Sequence, residues 1–335
     1  VKPGAVPRSR IAHSQSTPEK ERRAQKAIVY RKEVTSSTSL EATLARLDRI
    51  IETASVERSH LGVFPAMYRT VTGSIRDAVR TGGFFDDDDR TEHMTVVFAE
   101  SYFEAYDLYR RSERSSKSWA VAFEAADTPQ RLMILQHLLL GMNAHINLDL
   151  GLATAAVASE DLEAVHADFF RVNEILRQVL HGLQTRLGAV SPRVSMLDRL
   201  GGPWDERVMY VSIHTCRDLA WQFASRLAES SDARALAEAR DNDVAWLARL
   251  MLRRWCPVAI AANIISRVES RDIPAIVDAL GGVEVDFDKA EKIAGAELAA
   301  GGSVAGSLQE AARYRRRLQT FRRHAAGQTW TESSV

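Results

Sequence analysis

Cysteine is scarce in this chain: Cys216 and Cys256 are the only two in 335 residues, and neither belongs to a Cys-x-x-Cys pair. That excludes a disulfide-rich scaffold and makes a reducing, cytoplasmic setting the expectation. No apolar run reaches the roughly 18 residues of a membrane span, and the N-terminus lacks the charged-then-apolar pattern of a secretory signal. Net charge is also lacking, with 44 Lys and Arg against 44 Asp and Glu. No recognised nucleic-acid module or aromatic-interleaved basic stripe accompanies the basic residues, so nucleic acid is not an expected partner. Strand patterning is nearly missing too. The longest alternating stretch is Val283-Glu284-Val285-Asp286-Phe287, and no internal repeat is evident.

The zero net charge hides an uneven distribution. Residues 1–40 carry nine Lys and Arg against three Asp and Glu, and residues 310–335 carry six against two. Both ends are basic and the body is acidic, which favours attraction within the chain or between subunits and is compatible with a homo-oligomer. Residues 1–38 are poor in apolar side chains, as expected of a flexible basic tail.

From Leu40 onward the apolar residues recur at helical spacing. Leu40, Leu44, Leu47, Ile50, Ile51 and Ala54 form one stripe. Phe64, Met67, Tyr68, Val71, Ile75 and Val79 form a second, stopped by Gly82-Gly83. Asp86 to Asp89 precede a third, where acidic residues complement a helix N-terminus. Thr128-Pro129 reads as the start of the helix carrying the central motif, and Ser159 as the cap of the next. Further long helices are expected over 204–228, 233–254 and 308–324. These patterns predict an all-α protein built as a single large, bundle-like helical domain with long central helices. The expected organisation is a tail over 1–38, a helical core over 39–255 and a helical C-terminal extension over 256–335 packed on that core.

The most informative segment is Gly141-Met142-Asn143-Ala144-His145-Ile146-Asn147-Leu148-Asp149-Leu150, which sets four strongly polar side chains in an apolar helical run. Buried without partners, such groups cost a few kcal/mol each, so they belong to a closed hydrogen-bond network or to a site. His145 and Asp149 stand four apart, as do His214 and Asp218, so each pair shares one helix face. Two such helices packed face to face would offer two imidazoles and two carboxylates, a ligand set suited to zinc or non-haem iron. Asp168 is the candidate base or the group that orients a ligating imidazole. Arg217 is the candidate clamp for an anion or carboxylate. Asn143, Asn147, Asn173, Tyr102 and His137 complete the set of candidate binding residues, although Tyr102 and His137 read equally well as core side chains.

With these pieces in place, the chain resembles a mostly bacterial family known only as a domain of unknown function. The resemblance rests on Phe85-Asp86, on 98–105, on Trp119 to Phe123, on the string from His137 to Leu150, on Asp168-Phe169 with Asn173, and on Arg217 with Ala220-Trp221. It covers about residues 40–230 and implies a fold class but no reaction.

Three functional readings stay open. The first is a metal-dependent or metal-assisted enzyme acting on a small apolar molecule between helices. The second is a non-catalytic binding or assembly module whose Asn/His/Asp network fixes helix register. The third is a terpene-cyclase-like enzyme, suggested by Asp86 to Asp89 and Arg313-Tyr314. It is weakened by Trp246, which stands where the second magnesium motif after Asn242-Asp243 wants Ser or Thr.

Overall fold

In the computed structural model, residues 39–128, 132–158, 162–193, 206–252 and 257–299 are described. Every regular element among them is a helix, and no strand occurs. The expected tail over 1–38, the expected helix over 308–324, Ser159, Cys256 and Arg313-Tyr314 lie outside the described residues.

The first helix, α1 (Leu40–Glu57), starts where Ser39 accepts a hydrogen bond from the Ala42 N–H, and it buries Leu40, Leu44, Leu47, Ile50 and Ala54. After a 3-10 turn at His60–Gly62, α2 (Val63–Thr81) runs to Gly82, whose φ of 74° suits a residue without Cβ. Asp87 caps α3 (Asp88–Arg110), its side chain accepting from the Arg90 N–H, with Asp88 and Asp89 in the first turn. The acidic run thus opens a helix, as its position predicts. Next comes α4 (Lys117–Asp127).

One expectation is corrected here. Thr128 closes α4, its N–H donating to the Glu124 carbonyl, and the motif helix begins only at Ile134. Its start is capped from both near and far in sequence. Gln136 accepts from the Met133 N–H at 3.0 Å, and the Glu269 carboxylate accepts from the Ile134 N–H at 3.0 Å. A cap supplied from 135 residues downstream leaves no local signature.

The motif helix consists of α5 (Ile134–Ala144), a π-helical segment at His145–Asp149 and α6 (Leu150–Val157), joined without a break. It packs against α2, α3, α4 and two later helices, α8 (Glu206–Glu229) and α9 (Ala233–Met251), so it is covered on all sides. That explains an apolar run without a solvated face. Close approach depends on glycine at two points. A Cβ on Gly151 would lie 2.4 Å from the Phe223 ring of α8 and 3.0 Å from the Ala220 carbonyl, and one on Gly141 would lie 2.5 Å from the Phe64 ring. Gly151→Ala is therefore expected to destabilise by about 1–3 kcal/mol in urea titration, despite alanine's higher helix propensity. A gain in stability would show that α6 and α8 can part freely.

The long helix α7 (Glu163–Val190) packs on α2 and on the described part of the C-terminal region. There α10 (Pro257–Ser266), α11 (Ile273–Leu280) and α12 (Phe287–Ala299) follow, with α11 against α2 and α7 and α12 against α7. The alternating stretch at 283–287 is not a strand. Gln178 and the backbone of Asp286 exchange two hydrogen bonds, at 2.8 and 2.9 Å, so this backbone finds a side chain rather than a neighbouring strand. No helix among the described residues is long and apolar enough to cross a membrane.

Candidate functional site

The polar string is buried throughout, with Asn143, His145, Asn147 and Asp149 all at 7% exposure or less. Its hydrogen bonds form a network centred on the π-helical segment. Asn147 donates to the Asn143 side-chain oxygen at 3.0 Å, and Asn143 donates to the Val244 carbonyl of α9 at 3.0 Å. Arg240 Nε donates to the Asn147 carbonyl at 2.6 Å, at the point where the helical ladder changes register. Such π-helical insertions are rare and gather at functional sites.

Asp149 holds the centre. Its Oδ2 accepts from Trp119 Nε1 at 2.8 Å and lies 3.1 Å from His145 Nδ1. Burial raises the carboxyl's pKa and lowers that of the imidazole, although each partner opposes the other's shift. With the carboxylate accepting from both donors, the imidazole is fixed as the Nδ1–H tautomer, leaving Nε2 as a lone pair. Nε2 is buried and has no hydrogen-bond partner.

Aromatic rings enclose the imidazole. Phe98 stacks on it with centroids 3.6 Å apart and planes 9° apart, and Tyr68 meets it edge-on at 4.4 Å. Phe64, Tyr102 and Trp119 complete the enclosure. Tyr102, expected among the binding residues, is fully buried here and contributes a wall of this aromatic cluster.

His145 also lines a cavity of about 80 Å³. Most of its wall is apolar, supplied by side chains such as Met67, Val71, Met94, Phe98, Val172 and Leu176, with Asp168 and Arg217 contributing to the same wall. Three of the candidate residues therefore converge on one space. The others lie outside its lining. His137 stacks on His60 at 4.6 Å, and burial drives its pKa down to about 3. Asn173 Nδ2 lies 3.5 Å from His214 Nδ1, and burial lowers the His214 pKa to about 4.

Among the described residues no group of three or more His, Cys, Asp and Glu side chains is placed to hold a metal ion. His145 and Asp149 meet, but the expected set of His145, Asp149, His214 and Asp218 does not gather into one cluster. The physical reason is visible in the pairings. His145 turns Nδ1 towards its own helix partner, whereas His214 turns Nδ1 towards α7.

Asp168, on α7, is buried and accepts from four donors. These are the backbone N–H groups of Asp86 at 2.7 Å and Asp87 at 3.1 Å, and the side chains of Arg90 and Arg171, each at 3.0 Å. It ties the turn before α3 to α7. Asp86 also pairs with Arg171, so the acidic run is engaged in capping and ion pairs. Arg217 is buried, donates to the Phe169 carbonyl and lies over the Phe169 ring at 4.4 Å, and burial lowers its pKa to about 9.

Several residues that build the site escape notice in the sequence. Phe64 and Tyr68 read as ordinary positions on an apolar stripe, and Arg90 and Arg240 carry no motif at all. Phe98 and Trp119 stand inside pieces of the family resemblance, which is the available signal for them.

No curated protein and no solved structure matches this chain. The profile of a family described as "Family of unknown function (DUF5995)" matches residues 40–254, which takes in the whole motif helix, the aromatic enclosure and Arg217, and the chain belongs to that family.

Proposed function

We propose that the protein takes a small, largely apolar molecule into the cavity beside His145 and performs proton-transfer chemistry on it, with His145 Nε2 as the base. One observation carries this reading: a buried imidazole that lines an apolar cavity, its Nε2 without a partner and its ring oriented by a buried carboxylate through the opposite nitrogen. Burial keeps the imidazole neutral and therefore able to accept a proton at neutral pH. Asp149 fixes the tautomer, Trp119 anchors Asp149, and the aromatic rings hold the imidazole in place. The proposal assigns the chemistry to the His145–Asp149 pair and needs no metal. Asp168, with its oxygens occupied by four donors, serves as an anchor of the cavity wall rather than as the base.

Two measurements test this. Benzene or a short-chain alkanol should raise the melting temperature of the wild-type protein, and Met94→Trp, which puts bulk into the cavity wall, should abolish that rise. Hydrolysis of p-nitrophenyl hexanoate should be saturable and should fall on the order of a hundredfold in His145→Gln. Uptake without any His145-dependent turnover would leave a binding module, whereas failure of every apolar probe to bind would remove the cavity reading altogether.

A further inference from the structure

The cavity wall contains a charge that no described residue neutralises by contact. Arg217 is 4% exposed, and its neighbours in the wall are chiefly apolar. One terminal nitrogen donates to the Phe169 carbonyl and the guanidinium lies against the Phe169 ring, but Nε is buried with no acceptor. The adjacent Asp218 acts on it through space, yet no carboxylate among the described residues forms an ion pair with it. The two other arginines near this region differ. Arg90 and Arg171 both reach Asp168 at 3.0 Å. A buried guanidinium without an anion is costly, and that cost is relieved when a ligand brings the missing charge.

We propose that the molecule bound in the cavity is an amphiphile, an apolar body ending in a carboxylate, and that Arg217 receives the carboxylate. The inference rests on the cavity reading above and adds the polarity and orientation of its occupant. Arginine suits the task because its planar fork offers paired donors to a carboxylate, and the Phe169 ring and carbonyl hold that fork in place. Asp168 does not repel the incoming anion strongly, since its own charge is offset by Arg90 and Arg171. The apolar body would then lie along the wall shared with His145.

The test compares butanoate with butan-1-ol on the full chain by calorimetric titration, probes chosen to suit a cavity of about 80 Å³. Butanoate should bind at least about tenfold more tightly than butan-1-ol. Arg217→Met should erase that preference while leaving butan-1-ol binding intact, and the ligand-free variant should melt no lower than the wild type, because it loses an uncompensated charge. Should that variant fail to fold, Arg217→Lys keeps the charge without the fork and should reduce the preference. Equal binding of acid and alcohol by the wild type would overturn the head-group assignment and leave the cavity reading standing. A butanoate preference that survives Arg217→Met would overturn it as well. If neither compound binds, the cavity reading fails and this inference fails with it.

Discussion

Replacing Asp149 with Ala is expected to destabilise the folded protein by roughly 3 to 5 kcal/mol, read from urea titration at neutral pH. The size follows from what the carboxylate serves. Trp119 Nε1 and His145 Nδ1 both end on its Oδ2, and all three side chains are buried. Alanine leaves two donors without an acceptor in a region closed to water, and it adds a cavity. Asp149→Asn divides stability from chemistry. An amide oxygen at the Oδ2 position can still accept from both Trp119 and His145, so most of the stability and the Nδ1–H tautomer should survive, but the negative charge beside the imidazole is gone. Nitrogen-15 NMR of the imidazole should therefore report the wild-type tautomer, while His145-dependent ester hydrolysis should fall about tenfold or more, because the imidazolium formed on proton uptake loses its counter-charge. An Asn variant with wild-type activity would show that the Asp149 charge does not assist the base, and a near-neutral Asp149→Ala would show that the network has little energetic weight.

The comparison of sequence with structure is most instructive along the motif helix. Four polar residues in an apolar run indicate burial, and helical spacing indicates the His145–Asp149 pairing, because both statements depend only on neighbours in the chain. The same spacing at His214 and Asp218 indicates nothing about which helix that face would meet, and it is this longer step that fails to produce a four-ligand cluster. The π-helical register at His145–Asp149 is likewise invisible, since it is stabilised by groups such as Arg240, 93 residues away from the carbonyl it engages. The start of α5 departs from the sequence expectation for a related reason. A Thr-Pro pair is a strong local signal, but the start is set by Gln136 together with the distant Glu269. Asp168 and Arg217, candidates for a base and an anion clamp in the sequence, both line the cavity, yet their environments differ in a way composition cannot show. One is saturated with donors, whereas the other lacks an anion.

Acidification should expose a different weakness, outside the cavity lining, and His137→Phe should remove much of it. His137 is buried, its Nδ1 has no partner, and burial lowers its pKa from 6.5 to about 3. The unfolded chain therefore takes up a proton at this site below about pH 6.5, whereas the folded protein does not until about pH 3. Protons bound more tightly by the unfolded state drain stability as the pH falls, so the loss begins near pH 6.5 and accumulates to about pH 3. Between about pH 7 and about pH 4 this one residue should cost about 3 kcal/mol, from roughly 1.4 kcal/mol per unit of pH below the unfolded value. His214, lowered to about 4 by burial, should act in the same direction over the interval from 6.5 down to 4, with a smaller yield because it is only partly shielded from water. In His137→Phe the ring still stacks on His60, and no hydrogen bond of Nδ1 is lost because it makes none. At about pH 7 the variant should stay within about 1 kcal/mol of the wild type. Near pH 4 it should be the more stable of the two by about 3 kcal/mol, measured as the difference between their urea-unfolding free energies across that range. Parallel pH profiles for the two proteins would mean that His137 takes up its proton in the folded state without penalty, and its burial would then carry no cost in acid.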